Sequence, residues 1–590
     1  MKGTIISLFV FLCFLPPLSA QQQVSEEITI EELRGHVTFL ASEELQGRRA
    51  GTEGAHAAAD YIREQFRLAG VRLLAEEGFQ DFRIVTGVRA GDDCMMTVAG
   101  EPAEVREDFL PLAFSGQLPL DAPVRFAGFG FDFESPAGEW RDYDGLDVAG
   151  SWVLVLRGSP DDDSGEYEAY TSLLKKAMVA RDHGAAGVLF VAGPAFESDD
   201  RPVPLQHQRQ ESSMNIPVLS ITRRLAEYLL SDRNVEELEQ ELIASRQPVR
   251  TECDGHVKAR VSLIEESVTG RNVLGIIEGN DPRLQDEYVI LGAHYDHLGL
   301  GGPRSGSRRP DTVAVHYGAD DNASGVASVI EIGERIALQG GMQRSVILAA
   351  FDAEEMGLLG SKHLTANPPV DLARTALMCN FDMVGRFREN TNTLSVGGTG
   401  TADGLIELLQ EAGDEAGLEL AMSPEGYGPS DHAAFYAEDI PVLFFFTGVH
   451  DDYHTPFDTA DRLNYAGQKR VSDFVYDVVA AVTRRDEALR FTESGPKSRP
   501  ATSQRFKVTL GIMPDVSSSS GTGLRVDAVV DGRPASLGGM QKGDVIISMD
   551  GKPVNGVYEY MNRLSDFEPG QRISIEVQRD EETVILIVDL

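Results

Sequence analysis

Residues 287–297 read EYVILGAHYDH, an apolar run of strand length that ends in polar residues. Three later segments have the same form: SVILAAFDAEE (345–355), TALMCNFDMVG (375–385) and IPVLFFFTGVH (440–450). Strands that are apolar almost throughout are typical of a sheet buried on both faces. Segments with helical periodicity separate or follow these strands, at 324–338, 403–413 and near 466–488. The pattern therefore predicts an α/β domain from about residue 270, with further helices at 28–70.

The overall charge is strongly negative. The 590 residues include 53 Lys and Arg against 93 Asp and Glu, a formal net charge of −40. This balance argues against a nucleic-acid partner, which is usually held by cationic contacts to phosphates. A hydrophobic content of 42% indicates a folded chain, and its length is enough for three or four domains.

The first twenty residues, MKGTIISLFVFLCFLPPLSA, combine Lys2 with a short apolar run and the small residues Ser19 and Ala20. They predict a cleaved signal peptide and a secreted or periplasmic protein. The apolar run is too short to span a bilayer, and no later segment is long enough, so we expect no membrane span. Three cysteines remain after cleavage and allow at most one disulfide: Cys94, Cys253 and Cys379.

Metal-binding residue types follow each of the four apolar strands. The strands lead to His294 with Asp296, to Glu354 with Glu355, to Asp382, and to His454 a little later. A fifth segment, GADDNASG (318–325), adds Asp320 and Asp321 before a helix. In open α/β sheets ligands bind beyond the carboxyl ends of the strands. Histidine and carboxylate ligands without cysteine are the set expected of a hydrolytic zinc site.

The number of carboxylates favours more than one cation. Two carboxylates about 4 Å apart repel by roughly 4 kcal/mol at an effective dielectric near 20. The convergence of four acids would therefore be costly without metal ions. Each motif alone also has a structural interpretation, since Asp320 and Asp321 could cap the helix that follows them.

These blocks together resemble the co-catalytic zinc aminopeptidases, whose fold glutamate carboxypeptidase and glutaminyl cyclase share. The matching blocks are GAHYDH, GADDNASG, FDAEEMGLLGS, NFDMVG and YHTPFDT. The resemblance covers roughly residues 270–485, together with the helical segment near 28–70 and its GRRAGTEG stretch. It implies a mixed, mostly parallel sheet flanked by helices.

The resemblance also implies the roles of individual residues. Five would bind two zinc ions, for which cobalt or manganese could substitute: His294, Asp321, Glu355, Asp382 and His454. Asp321 would bridge both ions, and Asp296 would orient the His294 ring. Glu354 would be the general base that deprotonates a water to give a metal-bridging hydroxide, and it would then protonate the leaving amine.

The implied function is an exported aminopeptidase that releases N-terminal residues from peptides with a free N-terminus. The alternatives are a carboxypeptidase or dipeptidase on the same scaffold, or a non-catalytic peptide-binding protein. A further family-like block, GPSDHAAF (428–435), contains Ser430, Asp431 and His432. Adjacent residues on one loop cannot form a serine triad, so these three are either structural or line the substrate site.

Two accessory modules are expected. The stretch DYDGLDVAGSWVLVLRG and the segment 179–191, VARDHGAAGVLFV, resemble a protease-associated (PA) domain. Residues 506–590 resemble a bacterial-type PDZ domain, with a stretch close to its hallmark pattern at 525–554. Gly539, Gly543 and Asp544 would form a tight turn before a strand, and residues 510–512 the carboxylate-binding loop. Its groove would bind a peptide or a protein C-terminus by strand addition, or would be empty in a module that only packs.

The predicted boundaries follow from these assignments. A signal peptide occupies 1–20, and 21–117 form the N-terminal part of the peptidase domain. The PA domain spans 118–255 and the zinc peptidase domain 256–490. A linker covers 491–505 and the PDZ domain 506–590.

Overall fold

The computed structural model describes residues 25–590 except 136–137, 161–166, 168–169, 207–213, 498–507, 515–522, 530–532, 555–559, 561–562, 565–566, 568 and 580–581. The predicted signal peptide and part of the predicted linker lie outside the described residues. The chain divides into two compact units, one of Arg83–Val268 and the other of Met1–Phe82 with Thr269–Leu590. No helix among the described residues is both long and apolar enough to cross a bilayer.

The chain begins with the two expected helices, α1 (Ile30–Leu40) and α2 (Glu53–Leu68). The hydroxyl of Thr29 accepts a hydrogen bond from the Glu32 amide, and that of Thr52 accepts one from the Ala55 amide, so both helices have a side-chain N-cap. The apolar positions that predicted α1 are buried, and strands β1 (Arg72–Leu73) and β2 (Phe79–Ala90) follow.

The unit Arg83–Val268 contains an eight-stranded sheet within its described residues. Its elements are β3 (Met95–Val98), β4 (Glu101–Ala103), β5 (Phe109–Pro111), β6 (Pro119–Phe126), β7 (Asp132–Ser135), β8 (Gly138–Arg141), β9 (Trp152–Leu156), α3 (Leu173–Asp182), β10 (Gly187–Val191), β11 (Val218–Ile221), α4 (Arg223–Glu227), α5 (Val235–Ser245) and β12 (His256–Arg260). The sheet order is β4-β3-β12-β6-β9-β10-β11-β5, and β7 pairs with β8. Strands β9, β10 and β11 are parallel and fully buried, as their apolar sequences predict.

A nine-stranded sheet of described residues lies mainly in the unit of Met1–Phe82 with Thr269–Leu590. The further elements are β13 (Leu263–Ile277), β14 (Tyr288–His294), α6 (Gly325–Leu338), β15 (Ser345–Phe351), α7 (Leu359–Ala366), β16 (Thr375–Phe381), β17 (Thr393–Gly397), α8 (Leu405–Ala416), β18 (Glu419–Met422), α9 (His432–Ala437), β19 (Val442–Phe446) and α10 (Tyr465–Thr483). The order is β1-β13-β15-β14-β16-β19-β17-β18, with β2 also paired to β13.

The centre of this sheet is parallel. Strand β14 pairs in parallel with β15 and β16, and β16 with β19, whereas β13 and β17 are antiparallel to their neighbours β15 and β19. The predicted mixed, mostly parallel α/β sheet is therefore confirmed. In the register, Ile290 lies opposite Ile347 and Met378, and all three side chains are buried.

Residues 508–590 form a β-rich module with its own core. Its elements are β20 (Ile512–Pro514), β21 (Leu524–Val529), α11 (Pro534–Leu537), β22 (Val545–Met549), β23 (Lys552–Pro553), β24 (Arg572–Arg579) and β25 (Glu582–Asp589). The predicted tight turn precedes β22: Gly539 and Gly543 have positive φ, and the Gly543 amide donates to the Val526 carbonyl at 2.8 Å. The described cysteines Cys94, Cys253 and Cys379 are free thiols.

Candidate active site

The four parallel strands bring their carboxyl ends to one edge of the sheet. Strand β14 ends at His294 and β15 at Phe351, while β16 ends at Phe381, one residue before Asp382. Four of the residues predicted as metal ligands lie at or after these strand ends, and Asp321 lies in the turn before α6; all five lie close together.

A first group consists of His294, Asp321 and Asp382, whose ligand atoms lie within 4.8 Å of one another. The His294 Nε2 is 3.4 Å from the Asp321 Oδ1 and 3.6 Å from the Asp382 Oδ1. The histidine is fully buried, whereas the Asp382 side chain is 15% exposed. Ligand atoms are therefore held inside the protein while one side of the group is open to solvent.

A second group shares Asp321 with the first. Its Oδ2 is 3.1 Å from the His454 Nε2, which is also 3.2 Å from the Glu355 Oε1. His297 joins this group, because its Nδ1 is 2.9 Å from the Glu355 Oε1 and 3.7 Å from the Asp321 Oδ2. All five predicted ligands are thus brought together. His297 was missed by the sequence analysis, although the spacing of two histidines in HYDH could have indicated it.

The spacing of these atoms fits zinc. Zinc bonds of about 2.0–2.2 Å in tetrahedral geometry place ligand atoms about 3.3–3.6 Å apart, and the separations of the predicted ligands are 3.1–3.6 Å. The His294 Nε2 and the Asp321 Oδ2 are buried and have no hydrogen-bond partner among the described residues. Such atoms are costly to bury unless they bind a cation or a donor. The residues present therefore suit metal ions.

Hydrogen bonds fix the orientation of the two ligand rings. The His454 Nδ1 lies 3.0 Å from the Gly306 carbonyl oxygen, so this nitrogen donates and leaves Nε2 free to act as a ligand. The His294 Nδ1 is 3.2 Å from the Asp296 carbonyl oxygen and 3.7 Å from that residue's carboxylate. The Asp296 carboxylate also accepts a hydrogen bond from the Glu354 amide at 2.9 Å. Asp296 therefore lies between the His294 ring and the backbone of Glu354.

The turn that carries Asp321 is held from far along the chain. Residues Ala319–Ser324 form a turn in which Asp321 and Asn322 have non-helical backbone angles, and the Asp458 carboxylate accepts hydrogen bonds from the Asp320 and Asp321 amides at 2.8 and 3.0 Å. The N-cap of α6 is Ser324, which makes no side-chain capping bond. The Asp320 carboxylate instead accepts from the Gly385 amide at 2.6 Å. The alternative that the two aspartates cap α6 is therefore wrong.

A buried arginine from GRRAGTEG supports both ligand loops. The Arg48 guanidinium donates to the carbonyl oxygens of Tyr295 (2.7 Å), Tyr317 (2.8 Å) and Gly318 (2.9 Å), and also to that of Leu40. Tyr295 lies between His294 and Asp296, and Gly318 immediately precedes the Asp321 turn. Arg48 thus ties together the segments that position the ligands, a role that sequence spacing alone did not indicate.

The carboxyl groups of the site differ in their pKa values. Burial raises the pKa of Glu354 well above its ordinary value, and the nearby Glu355 carboxylate raises it further. Burial also acts to raise the pKa of Asp321, but His297, His294 and His454 outweigh it and hold that pKa well below its usual range. One acid of the site therefore readily holds a proton, while another remains a carboxylate.

Residues 430–432, with the sequence SDH, lie beside strand β16, which leads to Asp382. The Asn380 side-chain amide donates to the Ser430 hydroxyl at 2.8 Å. Burial raises the pKa of the Asp382 carboxyl group, and the Ser430 hydroxyl acts to lower it. The His432 ring stacks on Phe444 with ring centroids 4.5 Å apart, and burial lowers its pKa to about 3. A histidine in this environment is neutral and packed. The contacts of Ser430 and His432 are those of a structural segment.

The sequence matches three known families. A model of peptidase family M28 matches residues 272–479, a PA domain model matches 119–229 and a PDZ domain model matches 508–590. The Aminopeptidase YwaD of Bacillus subtilis (strain 168) is 25% identical over 416 residues, which are 68% of this chain and 76% of that protein. The probable lipoprotein aminopeptidase LpqL of Mycobacterium tuberculosis (strain ATCC 25618 / H37Rv) is 26% identical over 420 residues, 68% of this chain and 70% of that protein. Among solved structures, the aminopeptidase from Aneurinibacillus sp. strain AM-1 is 23% identical with a TM-score of 0.44, covering 80% of this chain and 97% of that chain.

Proposed function

We propose that this chain, a hydrolase whose residues 272–479 match peptidase family M28, is an exported zinc aminopeptidase that uses two metal ions. Two relatives that each match 68% of the chain are named aminopeptidases. The observation that carries the proposal is the position of Asp321, whose two carboxylate oxygens face different histidines at 3.4 and 3.1 Å. A carboxylate placed between two ligand groups suits a pair of ions.

The proposed ligands divide into two sets around this residue. His294 and Asp382 would hold one ion with Asp321, and Glu355 and His454 would hold the other with Asp321; the facing atoms of these side chains are 3.1–3.6 Å apart. Zinc bound at these positions would polarise the scissile carbonyl and lower the pKa of water. The chain supplies the rest of the chemistry.

Glu354 is the proposed general base. Its carboxylate is 4.0 Å from the His294 Nε2, its side chain is 12% exposed, and its amide is held by Asp296. Because its pKa is raised, the carboxyl group can take a proton from the attacking water and keep it long enough to deliver it to the leaving amine. The chain thus returns the proton to the product in the same turnover.

The N-terminal segment supports export, and the PDZ domain supports binding of peptides. Residues 1–20 have the composition of a signal peptide, and we propose a secreted or periplasmic location. The PDZ domain would bind a peptide or protein C-terminus by strand addition. The N-terminal sequence of the protein recovered outside the cytoplasm, expected to begin at Gln21, tests the export.

Hydrolysis of aminoacyl substrates with free amines, beside their N-acetylated counterparts, tests the activity. We expect cleavage of the free amines only, abolished by a chelator and restored by zinc. Equal cleavage of blocked substrates would indicate a carboxypeptidase or an endopeptidase instead. The absence of chelator-sensitive turnover in metal-loaded protein would favour the non-catalytic binding protein.

A further inference from the structure

His297 faces the second ligand group from a fixed position. Its side chain is fully buried, and its Nδ1 lies 2.9 Å from the Glu355 Oε1 and 3.7 Å from the Asp321 Oδ2. The ligand atoms of His297, Asp321 and Glu355 lie within 4.8 Å of one another, a spacing that could hold a metal ion. The ring therefore approaches the same two carboxylates that His454 contacts.

The backbone around His297 leaves the ring little freedom. The His297 amide donates to the Arg48 carbonyl at 3.1 Å. Gly318 packs against the ring so closely that a Cβ at this glycine would lie 2.6 Å from the ring Cγ. A side chain held in this way keeps its Nδ1 directed at the carboxylates at little further entropic cost.

The two ligand groups then differ in composition. The first has one imidazole and two carboxylates, and the second has two imidazoles, from His297 and His454, with two carboxylates. The second position therefore has one more protein ligand available than the first.

We propose that His297 is a fourth protein ligand of the second metal position, which makes that position tighter-binding than the first. The inference rests on the proposed two-metal function. It assigns the position with three protein ligands, held by His294, Asp321 and Asp382, to the ion that exchanges more readily. The other interpretation of the same contact is a hydrogen bond from the His297 Nδ1 to Glu355, with no bond to metal.

Anomalous diffraction from crystals of the full chain grown with zinc separates these interpretations. We expect the His297 Nδ1 within about 2.3 Å of an ion. A separation above about 3 Å, with the Nδ1 still bonded to Glu355, would overturn the proposal. This measurement needs no variant, so it decides the question even if substitutions at His297 impair folding.

Zinc titration of the apoprotein by calorimetry provides the second test, with His297→Ala and with His56→Ala on α2 as a control outside the site. Loss of an outer-sphere partner weakens metal binding by about 10–100-fold, so loss of a ligand should weaken one of two sites by about 100-fold or more. Unchanged affinities in His297→Ala would refute the inference while leaving the peptidase function intact. Tight binding through His297 without hydrolysis would instead refute the proposed function alone.

Discussion

The two α/β sheets of this protein bury similar strands but end in different residues. In the unit Arg83–Val268, the parallel strands β9, β10 and β11 are fully buried, and they are followed by Arg157-Gly158, Ala192-Gly193 and Thr222. In the other unit, β14, β15 and β16 are equally buried, but histidines and carboxylates follow them. A buried parallel sheet thus provides an edge where groups can converge, and the residues after each strand decide whether that edge can bind metal.

Each sheet also has a buried cation held by carbonyl oxygens. The Lys176 amine donates to the Leu156 and Gly158 carbonyls at 2.8 and 2.7 Å, as Arg48 does to the carbonyls of the ligand loops. Burial lowers the pKa of Lys176 to about 7 and that of Arg48 to about 10. Arg48 therefore remains charged at neutral pH beside the acids of the site, whereas Lys176 loses its proton near neutrality.

The largest expected difference between the two regions is catalytic. Glu354→Gln removes the proposed base, and we expect kcat to fall by about 10²–10⁴-fold with zinc content unchanged. Lys176→Met should leave kcat unaltered, because no catalytic role is assigned to the unit that contains it. Initial rates on a free-amine substrate measure both variants. A Glu354→Gln variant with full activity would remove this residue from the mechanism.

Substitution of the buried Arg48 should lower the Tm of the protein more than substitution of its exposed neighbour Arg49. Arg48→Met leaves the carbonyls of Tyr295 and Tyr317 without a donor among the described residues, at a cost of about 1–3 kcal/mol for each unsatisfied group. The Gly318 carbonyl keeps the hydrogen bond from the Ala323 amide at 3.2 Å. Arg49→Met is the matched control, since Arg49 is exposed. Thermal unfolding followed by circular dichroism should show a lower Tm for the first variant only. Equal Tm values would mean that water or a shifted backbone satisfies these carbonyls.

A smaller effect should appear in the pH dependence of the unfolding free energy of the unit Arg83–Val268. Above pH 7 the folded Lys176 loses its proton while the unfolded lysine keeps it to about pH 10.5, so the unfolded state binds more protons and stability rises with pH. Between pH 7 and 8.5 the gain approaches about 1.4 kcal/mol per pH unit. Asp142, which faces Lys176, has a pKa raised by burial to about 6 and titrates mainly below this range.

Urea unfolding monitored by tryptophan fluorescence measures this dependence in one unit. The chain has two tryptophans, and both Trp140 and Trp152 are buried in Arg83–Val268. Lys176→Met should flatten the rise in unfolding free energy with pH. A parallel rise in the variant and the wild type would show that another group is responsible.

The strands, the helices and most of the ligands could be predicted from the sequence, whereas the contacts that position the ligands could not. The sheets and helices were predictable because runs of apolar residues are typical of buried strands, and the spacing of apolar residues in α1 is typical of a helix with one buried face. Four of the five ligands lie at or after strand ends, whereas Asp321 lies in the turn before α6, and all five were named through the resemblance of the sequence blocks to a known family. The contributions of Arg48, Asp458 and the Gly306 carbonyl depend on contacts between segments far apart in the chain, up to 270 residues for Arg48 and Gly318. Local patterns contain no information about such contacts.

Zinc content after equilibrium dialysis tests the two-metal site most directly, in the wild type and in variants of the unshared ligands. We predict two zinc ions per wild-type chain and one in Asp382→Ala, which retains the position held by Glu355 and His454. Glu355→Ala should retain the other ion, and Asp321→Ala should weaken both. A single zinc ion in the wild type, lost equally from Asp382→Ala and Glu355→Ala, would contradict the two-metal account.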